Sequence, residues 1–184
     1  MTRVGRELTL DAAFAAAEGG VQRVRVFKWL GLGILGIAGL AVCVVFAARF
    51  ADGPLGPLPG GPMSGERAAG PVTDWGFIVN RDTVELEVNP VAPRSITTWV
   101  LGHEGRAYIP SGFGSRKTWT GQLLADGRAV LRVDGKLYEQ QAVRVTDDAF
   151  LEELRGVLIR KYDLDREGNF ASLETWFFRL DPRG

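Results

Sequence analysis

The chain is poor in the residues that usually build metal and catalytic centres, since its 184 residues include one cysteine and one histidine, His103. A single cysteine excludes an intrachain disulfide and a metal site made of several cysteines. A lone histidine in a predicted turn does not supply the partners of a Ser/His/Asp triad. The 22 basic residues balance the 22 acidic ones, so no excess of charge favours nucleic acid. We expect neither a nucleic-acid partner nor a bound metal.

What the chain does have is one long apolar run. Residues 29–48 contain no charged side chain, and a helix of that length covers the roughly 30 Å of a bilayer's hydrocarbon core. We therefore predict a transmembrane helix over residues 29–48 that contacts the lipid bilayer. Residues 40–43 are also similar to a lipoprotein cleavage site. Val42 is larger than the residue such a site requires, so an uncleaved span is favoured.

Basic residues flank the apolar run unequally. Arg23, Arg25 and Lys28 precede it closely, whereas Arg49 alone follows it closely. The positive-inside rule then predicts a single-pass protein of the cell membrane, with its N-terminus in the cytoplasm and its folded domain outside. The predicted segments are a short cytoplasmic segment (1–28), the transmembrane helix (29–48), a Gly/Pro-rich linker (49–73) and a folded domain (74–184).

The folded domain has the pattern of strands. Residues 83–88 alternate between apolar and polar side chains, with Glu85 and Glu87 on the solvated face. Asp134-Gly135 is the signal of a two-residue hairpin turn, and Asp147 is a typical helix N-cap. Strands are predicted over 83–88, 95–101, 106–111, 129–133, 136–145 and 175–180, and helices over 118–125 and from 148 onward. This pattern predicts a mainly β fold, a six-stranded antiparallel barrel with two or three helices.

One turn has the chemistry of an anion site. The segment from Tyr108 to Lys117 passes through a glycine-bearing turn to the start of the predicted helix over residues 118–125. The first N–H groups of a helix are unpaired, and the helix dipole is positive there. Arg116 and Lys117 add charge-assisted hydrogen bonds, and arginine has a planar fork that suits phosphate. The segment predicts a phosphate site, although a solvated basic helix start has the same residues.

Several short motifs together resemble one known family. They are residues 94–99 (RSITTW), 110–111 (PS), 115–117 (SRK), 124–128 (LADGR) and 178–183 (FRLDPR). In order and spacing they resemble the pyridoxamine 5′-phosphate oxidase-like split β-barrel family, over residues 74–183. The resemblance implies a Greek-key split barrel for this domain.

The resemblance also implies a cofactor and its contacts. In that family FMN lies across a dimer interface, so we expect FMN, a homodimer and a small-molecule redox substrate. The phosphate would contact Arg94, Arg116 and Lys117, and the flavin ring would lie along residues 97–99. The implied cofactor-binding residues are Arg94, Ser95, Ile96, Thr97, Thr98, Trp99, Pro110, Ser111, Ser115, Arg116 and Lys117.

The resemblance does not extend to the oxidase itself. Trp99 stands where the oxidase usually carries a lysine, and the oxidase's substrate residues have no counterpart, so no catalytic acid or base can be named. Relatives in the superfamily bind the deazaflavin F420 or haem, and some bind nothing. The predicted function is a membrane-anchored FMN-binding oxidoreductase. The alternatives are an F420-binding reductase and a cofactor-free, tethered dimerisation module.

Two further motifs have a chemical and a structural interpretation. His103 has the chemistry of a general base or haem ligand, but a solvated turn residue is the favoured interpretation. Residues 163–174 match several positions of an EF-hand calcium loop. Position five is Glu167, and the following segment has a strand pattern, so an acidic connecting loop is favoured.

Overall fold

The computed structural model describes residues 29–165 and 174–183. The chain divides into two compact units, Met1–Phe46 and Ala47–Gly184. A helix of 20 residues, α1 (Trp29–Ala48), is the one candidate membrane span among the described residues. Its length and composition suit a bilayer, although a signal sequence near an N-terminus shares these properties. The predicted apolar helix is confirmed, whereas its insertion, its orientation and the four predicted segments stay predictions.

The second unit is mainly β, with one eight-stranded sheet and two helices. The strands are β1 (Glu66–Arg67), β2 (Thr83–Val88), β3 (Arg94–Trp99), β4 (Leu101–His103), β5 (Arg106–Gly112), β6 (Arg128–Val133), β7 (Lys136–Arg144) and β8 (Thr175–Pro182). The helices are α2 (Thr118–Ala125) and α3 (Asp148–Tyr162). The strand order is β3-β2-β6-β7-β8-β5-β4, with antiparallel neighbours throughout, and β1 pairs in parallel with the start of β7.

Local signals account for most of these elements. The type I′ turn is present, because Asp134 and Gly135 both have positive φ, 51° and 79°. The Asp147 side chain accepts a hydrogen bond of 2.8 Å from the Phe150 N–H and so caps α3. The predicted mainly antiparallel β domain with two or three helices is confirmed.

The described residues form eight strands instead of the predicted six. The predicted strand over residues 95–101 divides at Val100, because β3 pairs with β2 while β4 pairs with β5. The other addition, β1, lies inside the predicted linker. The predicted barrel is not closed by hydrogen bonds, since β3 and β4 are the two edge strands and do not pair with each other. Val100 alone separates them in the chain, so the sheet curls until its two edges meet at that residue.

The curled sheet has apolar residues on both faces. One cluster lies on the face shared by alternate residues of most strands, with Leu86, Ile109, Leu131 and Phe178 fully buried. The intervening residues point to the other face, where Leu101, Tyr108 and Phe177 pack against Leu154 and Leu158 of α3. Successive side chains of a strand point to opposite faces of the sheet, and here each face has its own apolar cluster. Both faces of β5 and β8 are therefore buried, which explains the nearly continuous apolar sequences of these two strands.

The end of α3 is attached to the residue that joins the two sheet edges. The Tyr162 hydroxyl lies 2.6 Å from the Asp82 carbonyl oxygen and 2.9 Å from that of Val100. It also accepts a hydrogen bond of 3.1 Å from the Val100 N–H. The Lys161 ammonium donates to the carbonyl oxygens of Arg81 (2.5 Å) and Val100 (2.8 Å), and partial burial lowers the pKa of Lys161. These bonds fix the position of Val100, the residue at which the chain passes from pairing with β2 to pairing with β5.

The segment predicted as a linker makes specific contacts with the sheet. We name residues 52–65 the strap. Gly60 exchanges two backbone hydrogen bonds with Ser95 of β3, of 2.9 and 3.2 Å. Arg132 of β6 bonds the Asp52 carboxylate at 2.9 Å and also bonds the Glu85 carboxylate. The Met63 N–H donates to Glu87 at 2.5 Å. The two acids of β2 that the sequence places on a solvated face therefore hold the strap.

The strap is also closely packed. A Cβ atom on Gly60 would lie 1.7 Å from the Gly53 carbonyl oxygen, whereas one on Gly70 would meet nothing within 4 Å. We therefore predict that Gly60→Ala lowers the free energy of unfolding by about 2–3 kcal/mol through overpacking. Gly70→Ala, as the matched control, should leave it nearly unchanged. Thermal unfolding of both variants in detergent measures the difference, and equal melting temperatures would contradict the close packing.

Candidate functional site

An open cleft lies where β3 and β5 separate. Pairing between β4 and β5 ends at Leu101 and Tyr108, and β3 turns away at Val100 to pair with β2. The gap has a volume of about 400 Å³. It is lined by Thr97, Thr98, Trp99, Pro110, Gly112, Phe113 and Lys117. The cleft is therefore a direct result of the exchange of strand partners at Val100.

The free edge of β3 presents polar backbone groups beside this cleft. Ser95 uses its N–H and its carbonyl group for Gly60, on the side away from β2. Backbone groups of a strand alternate in direction, so those of Thr97 point the same way as those of Ser95. Within the described residues β3 has only β2 as a paired strand. The Thr97 N–H and carbonyl group are therefore available to a molecule at this edge.

Aromatic side chains form two walls of the cleft. Trp99 is stacked on Tyr162, with ring centroids 4.4 Å apart and planes 13° from parallel. One face of the Trp99 ring is covered by this stack, yet 39% of the residue stays exposed. Phe113 is 46% exposed. A planar ligand ring can stack on such faces, because offset aromatic pairs attract beyond their buried area.

A left-handed residue and a close-packed glycine shape the turn that carries Phe113. Phe113 has a φ of 56°, in the left-handed region that non-glycine residues rarely adopt. Gly114 follows it, and a Cβ atom there would lie 2.3 Å from the Trp176 ring. The turn between β5 and α2 thus approaches β8 closely. This approach brings Phe113 and Lys117 to the mouth of the cleft.

The Glu174 side chain holds the same turn. Its carboxylate accepts a hydrogen bond from the Ser115 hydroxyl and one of 2.8 Å from the Trp176 indole N–H. Its carbonyl oxygen accepts one of 3.1 Å from the Gly114 N–H. Hydrogen bonds from Ser115 and Trp176 hold the pKa of Glu174 below its ordinary value of 4.5. The Arg144 guanidinium lies 3.8 Å from the centroid of the Trp176 ring and completes this cluster.

Lys117 supplies the positive charge of the cleft. It is the N-cap of α2, and its side chain makes no capping hydrogen bond. Partial burial lowers the pKa of Lys117, and its ammonium lies 6.0 Å from the centroid of the Trp119 ring. No carboxylate of the described residues forms a salt bridge with Lys117. A partly desolvated, unpaired cation is well suited to attract an anionic group.

The structure brings together five of the eleven predicted cofactor-binding residues. These are Thr97, Thr98, Trp99, Pro110 and Lys117, which all line the cleft. They come from β3, from β5 and from the start of α2, three elements that are separated in sequence. The side chains of these five residues lie around one opening. That they bind a cofactor stays a prediction.

The other six predicted residues do not line the cleft. Ser95 is buried, and its hydroxyl donates to the Gly61 carbonyl oxygen at 2.7 Å. Ser111 is buried, with no hydrogen-bond partner for its hydroxyl. Ser115 bonds Glu174, and Ile96 packs against the core. Arg116 is exposed in the short 3-10 turn and Arg94 is half-buried at the start of β3.

Sequence reasoning missed Gly112, Phe113 and Tyr162 at this site. Gly112 and Phe113 have a local signal, because an apolar residue between two glycines, before two basic residues, is typical of an exposed turn. Tyr162 had no such signal, because its place under Trp99 depends on the packing of α3. The EF-hand-like loop falls mostly on residues 166–173, which lie outside the described residues. Of this loop, residues 163–165 and 174 are described. Asp163 is the C-cap of α3, and the Glu174 carboxylate bonds Ser115 and Trp176.

His103 is not a solvated turn residue as predicted. It ends β4, and only 18% of its side chain is exposed. Its Nε2 atom lies 2.8 Å from Glu153 Oε1 of α3. The turn itself is formed by Glu104 and Gly105, both with positive φ. The prediction placed the turn one residue too early, because β4 extends through His103.

Comparison with known proteins finds similarity to several solved structures. No protein-family model and no curated protein matches the chain. A candidate pyridoxamine 5′-phosphate oxidase of Listeria innocua is 14% identical with a TM-score of 0.46, covering 59% of this chain and 90% of that one. A FAD-binding protein of Mesorhizobium loti is 15% identical with a TM-score of 0.41, covering 58% and 85%. An F420 reductase is 13% identical with a TM-score of 0.42, covering 59% and 92%.

The Listeria protein bears the name of the family that the sequence motifs resemble. Identities of 13–15% and TM-scores below 0.5 say nothing about the ligand or activity of this chain.

The Glu174 cluster predicts a response of the turn to acid. The folded state holds the pKa of Glu174 below 4.5. The ionised Glu174 carboxylate therefore contributes its full stabilisation at pH values above the pKa that Glu174 has in the unfolded chain. This stabilisation is lost as the pH falls through the folded-state pKa. We expect acid to loosen the turn in the wild type, and Glu174→Gln to remove this part of the pH dependence. Thermal unfolding followed by tryptophan fluorescence, from neutral pH to about pH 3, measures both profiles. Parallel profiles for the two proteins would contradict the role of Glu174.

Proposed function

We propose that this chain is a membrane-anchored flavoprotein that binds FMN in the cleft between β3 and β5. The observation that carries the proposal is the composition of the cleft, which combines exposed aromatic side chains with an unpaired lysine. Its volume of about 400 Å³ lies in the usual range for small-molecule sites. A ligand with a planar ring and an anionic tail fits such a lining, and FMN is the ligand that the motif resemblance implies.

The proposed contacts use residues of the described cleft. Trp99 and Phe113 would contact the ring system, and the outward backbone groups of Thr97 would hydrogen-bond its polar edge. Lys117 would contact the phosphate. This differs from the contacts that the resemblance implies, because Ser95 and Ser115 already have partners within the chain. Arg116 and Arg94 do not line the cleft, so in this proposal they attract the phosphate by their positive charge without contacting it.

FMN would supply redox chemistry, and the protein would bind and orient it. Among the described residues that line the cleft, Lys117 is the one ionisable side chain, and the proposal assigns it to the phosphate, so no acid or base is assigned to proton transfer. We propose that a second copy of the chain covers the open side of the cleft, where Trp99 and Phe113 expose apolar surface. Light scattering of the protein should then give the mass of a dimer. A monomer that binds FMN would contradict the proposal that a second copy covers the cleft.

The test of the cofactor uses the full chain purified in detergent. We expect the absorbance bands of oxidised flavin in the purified protein or after addition of FMN. We further expect Lys117→Ala to weaken FMN binding about 10- to 100-fold, since a hydrogen bond to a charged group contributes about 1.5–3 kcal/mol. Arg116→Ala should have a much smaller effect, because Arg116 does not line the cleft. Fluorescence titration with FMN measures each dissociation constant.

The matched control is Arg155→Ala, which removes a surface arginine of α3 that pairs with Glu152. It should bind FMN as the wild type does. Equal affinities of wild type and Lys117→Ala would contradict the phosphate contact. A colourless protein that ignores both FMN and F420 would overturn the flavin proposal and favour the cofactor-free module. Binding of F420 alone would favour the reductase alternative.

Membrane anchoring through α1 is part of the proposal. Residues 29–48 carry no charge, and they form one apolar helix of 20 residues. With Arg23, Arg25 and Lys28 on the cytoplasmic side, the second unit would lie outside. We expect the chain to stay in the membrane fraction after high-salt and alkaline washes and to leave it in detergent. External protease should degrade the second unit in intact spheroplasts. Release by salt, or protection from the protease, would contradict insertion or orientation respectively.

A further inference from the structure

A cluster of metal-ligating side chains lies away from the cleft, between the β4–β5 hairpin and α3. It consists of His103, Glu104 and Glu153, whose ligand atoms all lie within 4.8 Å of one another. His103 and Glu104 are adjacent in the hairpin, and Glu153 comes from the second turn of α3. The donor set is thus one imidazole and two carboxylates from two separate elements.

The imidazole is held in place by its surroundings. His103 is mostly buried, and its ring lies 6.0 Å from the Phe150 ring and 6.5 Å from the Tyr108 ring. Its Nε2 atom points to Glu153, at 2.8 Å from Oε1. A ligand whose ring is fixed by packing loses little rotamer freedom on coordinating an ion.

The two carboxylates lack basic partners. Among residues 29–165 and 174–183 no lysine or arginine forms a salt bridge with Glu104 or Glu153, and His103 is the sole ion-pair partner of Glu153. Glu104 sits at a turn position with a φ of 49°, where asparagine, aspartate and glycine are the ordinary residues. The cluster therefore concentrates negative charge around one imidazole, and no lysine or arginine in the described part of the chain pairs with it.

We propose that His103, Glu104 and Glu153 bind a divalent cation of the zinc type. Zinc takes imidazole nitrogen and carboxylate oxygen at about 2.0–2.2 Å in tetrahedral geometry, which places ligand atoms about 3.3–3.6 Å apart. The observed spacing of up to 4.8 Å closes to that value with small side-chain rotations, since Glu104 and Glu153 are exposed. Water completes the fourth position. Bound zinc links the hairpin to α3, which holds the second core cluster.

The test uses the full chain without a metal-binding tag, in detergent and freed of metal with a chelator. We expect calorimetry to show one zinc ion bound per chain. Zinc at about 100 times its dissociation constant should raise the melting temperature by about 5–10 °C. Glu104→Asn should weaken zinc binding at least tenfold. Its melting temperature without metal should match or exceed that of the wild type, because asparagine suits the left-handed turn position.

The matched control is Glu152→Gln, which removes the neighbouring carboxylate of α3 that pairs with Arg155. It should bind zinc as the wild type does. Wild-type protein that takes up no zinc would overturn the proposal, and so would equal zinc affinity in Glu104→Asn and the wild type. Because the readouts are metal uptake and melting temperature, neither outcome depends on whether FMN binds in the cleft.

Discussion

The exchange of strand partners at Val100 is the constraint on which the rest of the structure depends. The chain leaves β2 after Trp99 and joins β5 at Leu101, so one continuous stretch serves both edges of the sheet. Beyond this point β3 and β5 have no strand between them, and the cleft occupies the gap. Lys161 and Tyr162 fix Val100 from the end of α3. The same contacts that hold the core also set the position of Trp99 over Tyr162.

The strap gives the sheet a second set of constraints, on the outer side of β2, β3 and β6. Arg132 lies between Glu85 and Asp52, so one guanidinium neutralises carboxylates from two elements. Hydrogen bonds from Ser64 lower the pKa of Asp52 to about 2, which keeps Asp52 ionised as a partner. Close to the cleft, the Gly56 carbonyl oxygen accepts a bond of 3.2 Å from the Thr97 hydroxyl. The strap therefore holds one side chain of the cleft wall.

Elements with a strong local pattern could be predicted from the sequence, whereas contacts between distant segments could not. The alternation in β2, the Asp134-Gly135 turn and the Asp147 cap follow from chemistry within a few residues. The break at Val100 has no such signal, because residues 95–101 form an uninterrupted β-like run. The glycines of the strap suggest flexibility by composition, yet Gly60 is required for close packing. At the site, the motifs located Thr97, Trp99 and Lys117, but the direction of the Arg116 side chain depends on a short 3-10 turn.

The hydrogen bonds that hold the strap and the end of α3 join residues far apart in sequence, and this affects the order in which the chain can fold. The bond between Arg132 and Asp52 spans 80 residues, as does the bond from Lys161 to the Arg81 carbonyl. At a synthesis rate of about 5–20 residues per second, the partner of Asp52 emerges roughly 4–16 s after it. Until β6 and α3 have been made, the strap lacks its partner Arg132 and the apolar strands lack the elements that pack on them, which is the state most prone to pairing with other chains. Newly made copies are thus most vulnerable to aggregation before α3 leaves the ribosome, and a chaperone would have its greatest effect in that window.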